Sequence, residues 1–219
     1  MAHYNELPAL RKKMYPKELP AFEPKLKPRR VIHRWMSAWC APFPSCDEAV
    51  VYSTQRYLYE KEHIRPAQIK TYVKAPNLLL MIVTFAAVLL IYFLSRFTLT
   101  RKFMLNWPRL STMTVISKTP SESAVNATKF KFNLFGEGWD AGTDADAVPP
   151  NKKMMVEVSG SNGYSMTAVA LIFSAITLLK ESDKMPAYGV ITPGVAFRNT
   201  NLINHLNKNN LKFEVVDKE

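Results

Sequence analysis

Seventeen consecutive residues from Leu78 to Leu94, LLLMIVTFAAVLLIYFL, carry no charge, no glycine and no proline in a chain that is otherwise polar. As a helix rising about 1.5 Å per residue, this run is roughly 25 Å long, close to the hydrocarbon thickness of a thin bilayer and near the lower limit for a span. A soluble core helix usually keeps a polar stripe, and this run has none. The sequence therefore predicts membrane association. Leu78, Leu79, Leu80, Ile82, Phe85, Leu89, Leu90, Ile91, Phe93 and Leu94 are its lipid-facing candidates.

Charge is distributed around that run. Residues 1–77 carry 14 Lys/Arg against 7 Asp/Glu, residues 96–131 carry 7 against 1, and residues 132–219 carry 8 against 10, within a net charge of +11. Basic flanks on both sides suit a segment whose ends face the same anionic leaflet. Lys70 and Lys74 precede the run while Arg96, Arg101 and Lys102 follow it, so the positive-inside rule prefers neither orientation. The segment SRFTLTRKFMLNWPRL has the mixed composition of an interfacial helix, with Trp107 and Arg109 at headgroup level. No nucleic-acid motif accompanies the basic residues, and nucleic acid is not an expected partner.

The 219 residues leave room for one substantial domain besides the anchor. Residues 1–30 form a Pro-rich basic arm expected to be extended or poorly ordered, with no secretory signal. Residues 31–76 are the first part of an α/β domain, 77–110 the membrane or lipid-droplet anchor, and 111–219 the second part of that domain. Helices are predicted over 47–62, 164–180 and the NTNLINHLNKN stretch, and strands over 67–75, 128–135, MMVEVSG, a short YGVITPG and LKFEVV. The fold class is α+β or α/β, a mixed sheet with helices interrupted by one hydrophobic insert. The strands before and after the insert are expected to share one sheet. The helix over 164–180 is not counted as a second span, because Ser165, Thr167, Ser174 and Thr177 interrupt it.

Few side chains suggest chemistry. Gly160, Ser161, Asn162, Gly163 and Tyr164 form a strand–turn–helix junction whose free N–H groups and dipole end suit an anion. An ordinary capped turn explains the same residues. Thr192 opens the turn Thr192-Pro193-Gly194, which has the same two readings. Asp140, Asp144 and Asp146 alternate as calcium ligands would, but the loop lacks the glycine and closing glutamate of a full site. The four histidines are scattered, and Cys40 and Cys46 lack metal or redox spacing, so no metal is expected.

Six segments in order resemble one family: TQRYLYE at 54–60, FKFNLFGEGW at 130–139, VEVSGSNGY at 156–164, AVALIFSAITLL at 168–179, GVITPGVAF at 189–197 and NLINHLNKNNLKFEVV at 201–216. Together they resemble the C-terminal half of saccharopine dehydrogenase-like oxidoreductases. The resemblance implies association with lipid droplets or other membranes, a link to glycolipid metabolism, and an N-terminal Rossmann half that binds NAD(P). That half is not legible here, since no glycine precedes Gly136 and GEGWDAG has the wrong spacing for the dinucleotide fingerprint.

The expectation is a chain that binds no cofactor alone, being a fragment, a truncated isoform or a module. Its partners would be an anionic membrane or droplet surface and a nucleotide-binding chain or second copy. The expected location is a lipid droplet or the cytosolic face of the endoplasmic reticulum, with mitochondrion and plasma membrane as alternatives. In that resemblance the chain supplies the substrate side of an oxidoreductase. The competing reading is a non-enzymatic membrane-anchored module that binds a partner or lipid, in either a same-side or a membrane-crossing topology.

Overall fold

A computed structural model describes residues 6–15, 19, 29–35, 37–43, 46–111, 121–186 and 189–218. Within the arm expected to lack order, α1 (Leu7–Met14) is helical. Pro8 falls in its first turn, where the missing N–H would have no intrahelical partner anyway. The remaining prolines of the arm, at 16, 20, 24 and 28, lie outside the described residues.

The first half builds a small antiparallel sheet, β1 (His33–Trp35), β2 (Ala38–Pro42) and β3 (Tyr72–Ala75), paired in that order. Ser37, with a left-handed φ of 64°, turns β1 into β2. Ala38, Cys40 and Ala41 give β2 a small-residue surface, and α3 (Leu78–Ser95) seats Met81 on Ala41 and Ala75 there. Asn77 caps α3 by accepting from the Leu80 N–H at 2.7 Å. Between β2 and β3 runs α2 (Asp47–Glu62), with the boundaries its sequence predicts. Glu48 in its first turn accepts from the Thr71 backbone N–H at 2.8 Å, tying the helix start to the segment leading into β3.

After α3 the chain turns into α4 (Thr98–Asn106), α5 (Pro108–Ser111) and α6 (Glu122–Asn126). A second antiparallel sheet follows, β4 (Phe130–Gly138), β5 (Lys152–Gly160) and β6 (Lys212–Lys218), with β5 central. The class is α+β, but the strands before and after the insert fall in two sheets instead of one mixed sheet. Among the described residues every strand pairing is antiparallel. Against one end of the second sheet pack α7 (Gly163–Lys180) and α9 (Leu202–Lys208), burying Met166, Leu202, Leu206 and Leu211 beside Phe130, Val158 and Phe213. The expected YGVITPG strand is not formed over its described residues, where 189–192 are irregular and lead into α8 (Pro193–Ala196).

Both α3 and α7 are long and apolar enough to cross a membrane by length and composition. The hydroxyls that interrupt α7 turn back on its own carbonyls, Thr167 to Gly163 at 2.7 Å and Thr177 to Phe173 at 2.7 Å. One face of α7 lies on the core through Met166, Val169, Ala170 and Phe173, while Leu171, Ile172, Leu178 and Leu179 are exposed on the other.

Contacts across the insert join the two sheets. Thr54 in α2 meets Thr192, Glu62 pairs with Arg198, Arg65 pairs with Asp146 at 2.6 Å, and Trp35 packs edge-on against Phe135 with ring centroids 6.0 Å apart. Residues before and after α3 and α4 are therefore in direct contact with one another.

Candidate functional site

The junction of β5 and α7 is where the sequence points to an anion. Asn162 is buried, and its Oδ1 accepts from the Ser165 N–H at 2.8 Å while its Nδ2 donates to Asn126 Oδ1 at 3.2 Å. The side chain is thus spent as a helix cap and a tie to α6. A methyl added at Gly160 would lie 2.8 Å from Met166 Cγ and 2.9 Å from a Phe130 ring carbon. The missing side chain at Gly160 makes room for the protein's own core. Ser161, Gly163 and Tyr164 are exposed, Tyr164 at 73 %.

Thr192 stands at the start of α8, where its hydroxyl lies 2.5 Å from Thr54 Oγ1 and its carbonyl accepts from the Val195 and Ala196 N–H groups. Among the described residues no hydrogen bond connects Thr192 to the β5–α7 junction, so the structure does not gather the two candidates into one constellation.

The acidic loop is committed elsewhere. Asp146 pairs with Arg65, whose guanidinium also stacks over Trp139 at 5.3 Å. Asp144 accepts from the Asp146 N–H at 3.0 Å, and Asp140 faces Lys152 at 3.6 Å. Among the described residues no group of three His, Cys, Asp or Glu side chains converges for a metal. Cys40 is buried in the first sheet and burial pushes its thiol pKa up, against smaller opposing effects of Lys74 and Arg29. Cys46 is exposed.

The α3–α4 segment presents a long run of exposed apolar side chains. From Leu78 to Leu94, twelve large apolar side chains are exposed, from Leu94 at 36 % to Leu79 at 73 %. Burying the rest of their surface is worth on the order of 10–20 kcal/mol, as much as the whole stability of a typical domain. Phe97, Leu99, Phe103, Leu105 and Trp107 continue the apolar surface through α4, beside Arg96, Arg101 and Lys102. All the anchor candidates thus lie on one continuous projection, of which Met81 and Phe85 face the first sheet.

One feature the sequence left unmarked is an open cavity of about 400 Å³ at the end of the second sheet, lined by Lys129, Lys131, Ser159, Ser161, Asn210 and Lys212 with Glu157. Alternation within KFKF and VEVSG places these polar side chains on one face. The signal appears only when the register of three strands distant in sequence is known.

The human saccharopine dehydrogenase-like oxidoreductase is 36 % identical over 205 residues, which covers 91 % of this chain and 48 % of that protein. A probable mitochondrial saccharopine dehydrogenase-like oxidoreductase of Arabidopsis thaliana is 25 % identical over 224 residues, covering 91 % of this chain and 48 % of its own. A Caenorhabditis elegans protein named lipid droplet localized protein is 24 % identical over 215 residues, or 92 % of this chain and 50 % of its own. The chain spans about half the length of these relatives, consistent with a C-terminal half. No family model and no solved structure matches it.

Proposed function

Across the half of their length that it spans, this chain is homologous to the saccharopine dehydrogenase-like oxidoreductases, and on that premise we propose that it is the membrane-attached, substrate-side half of such an oxidoreductase. The single observation that carries the reading is the continuous match over 91 % of the chain to proteins bearing that name. A nucleotide-binding half, in the same or another polypeptide, supplies NAD(P) in this reading, because no glycine fingerprint for a dinucleotide is legible in this sequence. The substrate class is a lipid or glycolipid, presented at the surface where the anchor sits.

The anchor holds the chain on the cytosolic face of a lipid droplet or the endoplasmic reticulum. The contacts Thr54–Thr192 and Glu62–Arg198 support this topology, since segments tied together across the insert are not divided by a bilayer. With basic residues at both ends, α3 lies along the lipid surface and sinks its apolar sides among the acyl chains, while Arg96, Arg101 and Lys102 reach back to anionic headgroups. Tags at the two termini of the chain in microsomes or on droplets test this. Both are digested by added protease if the anchor is same-sided; protection of one tag alone overturns the topology.

A second reading, a non-enzymatic module that binds lipid or a partner, is favoured by the junction itself, where Asn162 is consumed in capping. Supplying the chain with the uncovered half of the human relative separates the two. NAD(P)-dependent turnover of a lipid substrate supports the oxidoreductase, and stable lipid binding without turnover supports the module.

A further inference from the structure

The end of the second sheet places a row of side chains that neither the family match nor the anchor explains. Lys131 in β4 is directly opposite Ser159 in β5, and Ser159 is directly opposite Lys212 in β6. Residues directly opposite in antiparallel strands share a face with Cβ atoms about 4.5–5.5 Å apart, so a hydroxyl sits between two ammonium-bearing stems. Lys129, Ser161 and Asn210 continue the row past the paired ends and complete the rim of the 400 Å³ cavity.

Each flanking ammonium is steered by one bond and keeps two donors. Lys131 Nζ lies 2.8 Å from Glu157 Oε2, and Lys212 Nζ donates to the Asn207 carbonyl at 2.7 Å. A lysine has three N–H donors, so both remain able to serve a ligand held in a set position. The next row inward is Asn133, Glu157 and Glu214, of which the Glu157 carboxylate also lines the cavity and is neutralised by Lys131. Left-handed backbone at Asn210, with φ 67°, turns the chain into β6 and brings its side chain to the rim.

We propose that the Lys131–Ser159–Lys212 row, closed by Lys129 and Ser161, is a binding site for a phosphate monoester. Lysines hold the phosphate oxygens by charge-assisted bonds and the serine hydroxyls add neutral donors. The phosphate belongs either to a soluble metabolite or to a lipid headgroup, and the site is independent of how the anchor lies in the membrane.

Binding to the full chain in neutral detergent is measured by calorimetry with inorganic phosphate and glycerol 3-phosphate, against sodium chloride at matched ionic strength. In parallel, vesicles of phosphatidylcholine with and without phosphatidic acid are floated with the protein. Saturable binding of the soluble phosphates that weakens about tenfold or more in Lys131→Ala/Lys212→Ala identifies a soluble ligand. Loss of only the phosphatidic acid-dependent binding in that variant identifies a headgroup. Lys131→Arg/Lys212→Arg keeps the charge and retains binding in either case. The proposal is overturned if the double alanine variant changes neither response, or if the distant Lys180→Ala lowers them equally.

Discussion

Thr54 Oγ1 lies 2.5 Å from Thr192 Oγ1 across 138 residues of sequence, and the same Thr54 presents its Cγ2 to the bare Cα of Gly194. This contact of α2 with α8 joins the segment before the membrane insert to the segment after it. It needs glycine, because a methyl at 194 would stand 2.9 Å from Thr54 Cγ2.

Gly194→Ala is therefore expected to destabilise the chain by roughly 1–3 kcal/mol, the usual cost of forcing an extra carbon into a packed contact. Thr54→Ser removes Cγ2 but keeps the hydroxyl that meets Thr192. In urea unfolding in neutral detergent, the double variant should recover much of the loss. Additive effects of the two changes would show that the contact is not the cause.

A charge within α3 should expel it from lipid. Leu89→Lys and Phe93→Lys each replace an apolar side chain on the exposed surface of α3 with a cation that acyl chains do not solvate. In droplet flotation the pair should move the protein into the aqueous fraction. Arg101→Glu/Lys102→Glu should weaken binding to anionic vesicles and leave binding to neutral ones little changed, since each juxtamembrane cation adds about 1 kcal/mol only on a charged surface.

Acid should loosen the start of α2. The Thr71 backbone N–H bonded to Glu48, aided by the Thr71 hydroxyl and Lys70, holds the Glu48 carboxyl below its ordinary value despite some desolvation. A depressed folded pKa contributes stability that is fully present above the unfolded value of about 4.3 and is lost as pH falls through the folded one. Stability of the parent chain should fall more steeply over that acidic window than that of Glu48→Gln. Parallel curves would remove Glu48 from the account.

The two cysteines should separate by reactivity. At neutral pH the exposed Cys46 is expected to react with a maleimide well before the buried Cys40, whose raised pKa leaves little thiolate. Mass mapping of the first modified peptide decides it.

Long periodic segments were legible in the sequence. Asp47–Glu62 announced itself by acidic residues at its start, and the apolar run became α3 with Asn77 as its cap. The hairpin of β1 and β2 was not legible, because HRW and AWCAP are too short to alternate and their strand character comes from pairing with β3 and from Met81 above them. One sheet was expected where there are two, since periodicity marks strands without saying which of them pair. The candidate site was legible only in part. Gly160 and Asn162 stood out by residue type, yet their surroundings in Met166, Phe130 and Asn126 give them packing and capping work. Lys131 and Lys212 were not singled out in the sequence, because only the strand register sets both opposite Ser159.

The joining contact also sets a timetable for synthesis. Thr54 is made 138 residues before Thr192, and at about 5–20 residues per second a ribosome needs roughly 7–28 s to cover that distance. Within that interval α3, which ends at Ser95, is complete long before Thr192 is made and the contact that closes the body can form. The nascent chain must therefore be handed to lipid or shielded by a chaperone before its own fold has closed.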